Sequence, residues 1–190
     1  SDFALTDTFE IRVTGKKFFT KDLQKEIEYK YYNPELKSNQ INRVLRKLNL
    51  EGSMDIVKTS TTGIKEREDQ VWLHPARGNQ YAINEFAPFP QVRFPLKIGN
   101  SWTETLSVIK YGIWENLSVY SEYKVTDTIK LNWKNNEPIE CWKIEAQSDF
   151  DYREVKVNYY YNELLGFMLT EQDFFGQILT EYKLIDVIDL

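Results

Sequence analysis

The feature that most restricts this chain is a period-two alternation of apolar and polar residues, recurring between residues 117 and 161. Leu117, Val119, Ser121, Tyr123 and Val125 fall on one side of an extended ribbon, and Ser118, Glu122 and Lys124 on the other. The pattern returns as Trp142, Ile144 and Ala146 against Lys143, Glu145 and Gln147. It returns again as Val155, Val157, Tyr159 and Tyr161 against Glu154, Lys156 and Asn158. Successive side chains of a strand point to opposite faces, so these runs describe strands with one dry and one wet face, as in an antiparallel sheet. Asn135-Asn136 and Asn162-Glu163 separate the runs and predict hairpin turns. Leu164–Thr170 and Ile178–Ile188 are more uniformly apolar, which implies cover on both faces.

The first half is less regular. Phe9–Val13 reads as a strand closed by Gly15. Asp22–Tyr32 fits two patterns, a helix face through Leu23, Ile27 and Tyr31 or a strand through Ile27, Tyr29 and Tyr31, and its aromatic second half favours the strand. Ile41, Val44, Leu45 and Leu48 follow helical spacing, with Ser38 or Asn39 as a cap and Gly52 beyond the end, so one short helix is expected near residues 39–49. Asp55–Thr61 and Ile64–Leu73 flank Thr62-Gly63 as a hairpin would. His74-Pro75-Ala76-Arg77-Gly78-Asn79 reads as a turn. The prolines of Ala87–Pro95 remove ladder donors, so that stretch is an edge or an extended connection. The resulting expectation is one mainly-β domain over residues 1–190: a curved antiparallel sheet, a half-barrel-like meander, with one short helix.

Charge narrows the partners. Residues 1–95 hold 15 Lys/Arg and 13 Asp/Glu, whereas residues 96–190 hold 9 and 16, for a net charge of −5. Neither half can neutralise a phosphate backbone, so nucleic acid is not an expected partner. No apolar run reaches the roughly 20 residues of a membrane-crossing helix.

Chemistry is scarce in the sequence. One cysteine and one histidine cannot build a zinc site from protein ligands. Eight glycines stand singly, which leaves no phosphate loop or dinucleotide fingerprint, so no cofactor is expected. Cys141 follows Glu140 in a strand-like run, where a carboxylate raises rather than lowers a thiol pKa. An enzyme is therefore not the expected reading, although 29 carboxylates leave a carboxylate-dependent hydrolase open as an alternative.

Aromatic residues make up 15% of the chain. Buried, they are core; gathered and exposed, they are a platform for an apolar or sugar-like ligand. Trp102, Trp114 and Trp133 are the candidate platform residues. His74 and Arg77, three residues apart in a turn, are candidates for holding an anion.

Phe94–Trp102, with its Pro-Leu-x-x-Gly-x-x-Trp spacing, resembles the strand entry of a group of uncharacterised Gram-negative cell-envelope β proteins of lipoprotein type. Cys141–Ala146 is similar to their middle strand, and Tyr159–Phe167 to the aromatic pair that follows. The likeness covers about residues 94–184. It implies a half-barrel like that of lipoprotein carriers and an extracytoplasmic location, in the periplasm or anchored at the outer membrane by a lipid upstream of Ser1. It carries no catalytic residues. The function expected on these grounds is non-enzymatic binding of a small hydrophobic molecule or lipid on a concave sheet face. The alternative is a structural or assembly role, in which an exposed strand edge pairs with an envelope protein.

Overall fold

In a computed structural model, residues 7–19, 23–32, 56–111, 114–150 and 153–187 are described; side chains 19, 108–111, 114–117, 150 and 153 are not among them. The helix expected at 39–49 lies outside the described residues. The fold is mainly β and antiparallel, as expected, with its strands divided between two sheets. The chain forms two compact units, residues 1–85 with 108–117, and residues 86–107 with 118–190.

In the first unit, β1 (Phe9–Phe19), β2 (Gln24–Tyr31), β3 (Thr59–Glu66) and β4 (Gln70–Leu73) pair in sequence order. Ile27, Tyr29 and Tyr31 of β2 are buried, the alternate residues of the strand reading. Their rings join a packed aromatic group. Tyr31 stacks on Tyr81 at 5.5 Å between centroids, and Phe9 meets Tyr81 edge-on at 5.1 Å.

Two local expectations are corrected in this unit. The β3–β4 turn falls at Arg67–Gln70, where each residue's N–H reaches the other's carbonyl, at 2.8 and 3.4 Å. Gly63 is not in a turn but inside β3, opposite Glu26. A Cβ there would stand 2.0 Å from the buried Gln24 Oε1, so close approach explains this glycine. Gly15 does not close β1. Its φ of +78° accompanies the register shift between Val13 and Lys17, and the strand runs on to Phe19.

The second unit carries β6 (Ser101–Tyr111), β7 (Trp114–Asn132), β8 (Pro138–Phe150), β9 (Arg153–Asn162), β10 (Gly166–Phe174) and β11 (Ile178–Lys183), in spatial order β11-β10-β9-β8-β7-β6. This is the expected meander. Its turns include Asn135-Asn136, both at positive φ, and Asn162, whose side-chain oxygen accepts from the N–H groups of Leu164 and Leu165. Val119, Tyr123, Val125, Ile144, Val155, Val157 and Tyr159 are buried on the inner face, in step with the alternation.

Residues 86–92 lie buried against that inner face, leaving a 3-10 helix (Asn79–Phe86) and running extended into β5 (Gln91–Arg93). Pro88 and Pro90 have no N–H, and extended backbone between them forms no continuous ladder, so its buried carbonyls need side-chain donors. The sheet supplies them. Ser148 Oγ donates to Phe86 O at 3.2 Å, Tyr123 donates its hydroxyl to Phe89 O at 2.9 Å, and Tyr159 donates to Pro88 O. The proline-rich stretch is thus an extended connection whose carbonyls are satisfied by the hydroxyls of the core.

Candidate functional site

Trp102 and Trp133, the two candidates with described side chains, are each packed into the protein. Trp102 is 8% exposed, stacks on Tyr123 at 5.3 Å and donates its indole N–H to Gln91 Oε1 at 3.1 Å. It is core. Trp133 is half-buried at the β7–β8 turn, packed against a cluster built on Cys141, Tyr160 and Met168. Trp114 opens β7, and its side chain lies outside the described residues.

His74 and Arg77 do come together, around a carboxylate of their own chain. His74 Nε2 lies 3.7 Å from Glu85 Oε1, and Arg77 Nη1 lies 3.9 Å from the same oxygen. Arg77 also donates to Thr61 O at 3.4 Å. Burial pushes the imidazole down to about 4, with the hydrogen bond to Pro75 opposing and Arg77 adding to the fall. Burial raises Glu85, against the pull of Arg77. A neutral histidine and a guanidinium already answered by Glu85 offer an incoming anion little.

Cys141 is buried, and its thiol is raised first by burial and then by Glu140. No group of acidic, His and Cys side chains among the described residues could hold a metal.

What the structure opens is the outer face of the six-stranded sheet. Within the second unit it forms a trough of about 1140 Å³. Strand register builds it from two rows. In one, Lys124 faces Glu145, Glu145 faces Asn158, Asn158 faces Glu171 and Glu171 faces Glu181. In the next, Glu122, Gln147, Lys156, Asp173 and Leu179 follow one another in the same way. Five carboxylates stand here against two lysines.

Several of these groups are held in place. Glu171 Oε2 accepts from the Tyr160 hydroxyl at 2.8 Å and from Asn158 Nδ2 at 3.2 Å. Lys156 is spent on Glu154 at 2.8 Å, and Glu145 on Lys143 at 2.7 Å. Burial, and then the bond to Glu171, holds the Tyr160 phenol well above its ordinary value, so it remains a donor across ordinary pH.

Along the strands the same face becomes apolar. Cys141 lies two and four residues from Lys143 and Glu145, on their side of β8. Ile129 and Leu131 reach this side because the register shifts by one between Val125 and Asp127. Leu184 covers part of the apolar patch, its N–H donating to Met168 O at 2.8 Å. The trough is the uncovered remainder.

Sequence reasoning missed the trough carboxylates. Their alternation was visible, but outward-facing charge on a strand is ordinarily solvated surface, and only register shows five of them sharing one concavity. No protein-family model matches the chain, and no characterised protein or solved structure is significantly similar to it.

Proposed function

We propose that this chain is a non-enzymatic binding protein that receives an extended, cationic ligand on the outer face of its six-stranded sheet. The observation that carries the reading is the trough of about 1140 Å³ lined by five carboxylates and two lysines. A recessed surface of one predominant sign focuses potential and attracts the opposite charge. Glu171 supports it further, because a carboxylate already oriented by Tyr160 and Asn158 loses little freedom when it takes a cation. An apolar occupant of the inner face, the expectation from sequence, would compete with residues 86–92, which lie buried against it. The envelope location implied by the resemblance belongs to the same proposal, and cell fractionation with an antibody to the chain tests it.

The binding test is calorimetric titration with a short oligolysine peptide. Binding is expected at low salt, weakened as salt rises and weakened again in a Glu171→Gln, Glu181→Gln double variant. Equal affinity of the wild type and the double variant would remove the trough from consideration.

A further inference from the structure

We propose that two copies of this chain pair through the outer edge of β1, antiparallel, with Ile11 of one copy opposite Ile11 of the other. The first observation is apolar surface in the wrong place for a finished sheet. Val13 lies opposite Ile27 and Ile11 opposite Tyr29, so both point to the face where β2 is fully buried. Yet Ile11 is 46% and Val13 51% exposed, against 1% and 0% for their partners Tyr29 and Ile27 on β2. The core face stops at β2, and its apolar pattern runs one strand further.

The second observation concerns the backbone. β1 ends the strand order of its sheet, and no strand takes its outer edge among the described residues. Tyr32 N–H donates to Thr8 O at 3.3 Å, so the even-numbered positions of this stretch turn their polar groups toward β2. Residues 9, 11 and 13 then turn theirs outward. A regular edge with apolar side chains is a template for another strand.

Register decides the partner. Only odd-numbered residues can exchange hydrogen bonds across this edge, which leaves a few self-pairings to compare. Centring on Arg12 sets Arg12 against Arg12, and centring on Glu10 sets like carboxylates together. Centring on Val13 carries the pairing into Gly15 and the register shift. Centring on Ile11 sets Ile11 on Ile11 and Val13 against Phe9 on the apolar face, with Glu10 against Arg12 twice on the other. Because Lys30 already faces Glu10 and Glu28 faces Arg12, each polar row then reads Lys30, Glu10, Arg12, Glu28, alternating in sign across four strands. The five residues involved are the regular part of β1, before its register breaks. An isologous contact of this kind closes on itself as a dimer.

The test is sedimentation equilibrium on the full chain, run across the micromolar range. Wild type is expected to approach twice its 22.6 kDa mass. Glu10→Arg and Arg12→Glu, each alone, place like charges opposite one another twice, and should weaken association roughly 10- to 100-fold. Mixed together, the two variants carry two arginines against two glutamates, and the heterodimer should form. That rescue separates a lost contact from a misfolded chain. A second measurement fixes the register. Ile11→Cys in a Cys141→Ser background should form an intermolecular disulfide on mild oxidation, and Val13→Cys should not. A wild type that stays monomeric, a dimer indifferent to both charge reversals, a mixture that remains monomeric, or trapping through Val13→Cys instead would each overturn the proposal.

Discussion

Both units solve the same problem with the same residue and differ in what they leave titratable. In each, buried tyrosines hold a proline-containing segment by hydroxyl bonds to its backbone. In the first unit Tyr29 donates to His74 O at 2.7 Å, and Gly78 N–H donates to the Tyr31 hydroxyl at 3.0 Å. In the second, Tyr123 and Tyr159 donate to Phe89 O and Pro88 O. The first segment also carries an imidazole and a carboxylate into its packing, 14% and 15% exposed. The hydroxyls that hold the second segment are neutral. A buried neutral hydroxyl fastens a segment over the whole ordinary pH range, whereas a buried His–Glu pair ties it to acidity. The first unit is therefore the acid-sensitive one. Burial raises the phenols of Tyr123 and Tyr159, and their contribution is lost only as pH rises above the ordinary tyrosine value near 10.

The sharpest way to break the parallel is at its tightest contact. A Cβ on Gly78 would stand 2.6 Å from Cε2 and 2.8 Å from Cζ of Tyr31, whose ring is 4% exposed and stacked on Tyr81. The ring is also tied at its hydroxyl, which pairs with Ser60 Oγ and accepts from Gly78 N–H. Gly78→Ala should cost about 3 kcal/mol, measured by denaturant unfolding, because overpacking a filled core forces strain. A loss under roughly 0.5 kcal/mol would mean the segment moves freely over the tyrosines. In the second unit, Tyr159→Phe keeps the ring and removes the donor. The Pro88 carbonyl is then buried without that partner, at a cost of about 2 kcal/mol. The same substitution at Tyr120, which is 48% exposed, should cost far less.

The period-two alternation marks strands and their buried faces well, because it is a property of residues close together in the chain. It placed β7 to β9 and the residues of their inner face; the cover expected on both faces of Leu164–Thr170 and Ile178–Ile188 is not there, since burial alternates along β10 and Leu164, Leu179 and Ile185 are exposed. It did not foresee that strands would divide between two sheets, or that Ala87–Pro90 would be core, since an extended segment without a ladder leaves no periodic mark. The trough was illegible for a related reason. Its rows depend on register, and register shifts by one between Val125 and Asp127 and again between Phe167 and Leu169. The first shift has no glycine or proline to announce it, and Gly166, beside the second, reads from sequence as part of a turn. Trp102 and Trp133 show the same limit from the other side. Residue type marked them as large and amphipathic, but burial is a tertiary quantity.

The smallest expected effect tests the difference between the units most directly. His74 is the only histidine, so its ring protons report one site. In the unfolded chain an imidazole titrates near 6.5; in the fold burial holds it down to about 4. Between those values the unfolded state binds more protons, so the stability His74 contributes above pH 6.5 is lost as pH falls toward 4. Glu85 acts in the opposite sense. Its raised carboxyl keeps a proton longer in the fold, which adds stability at low pH that is lost as pH rises through its folded value. The two slopes partly cancel in the wild type. Glu85→Gln should therefore steepen the acid loss between pH 6.5 and 4, and His74→Gln should flatten it. Proton NMR of the folded chain should show the imidazole neutral and unchanging from pH 8 to about 5. A midpoint near 6.5 would mean that His74 is solvated, and the contrast between the two units would fall with it.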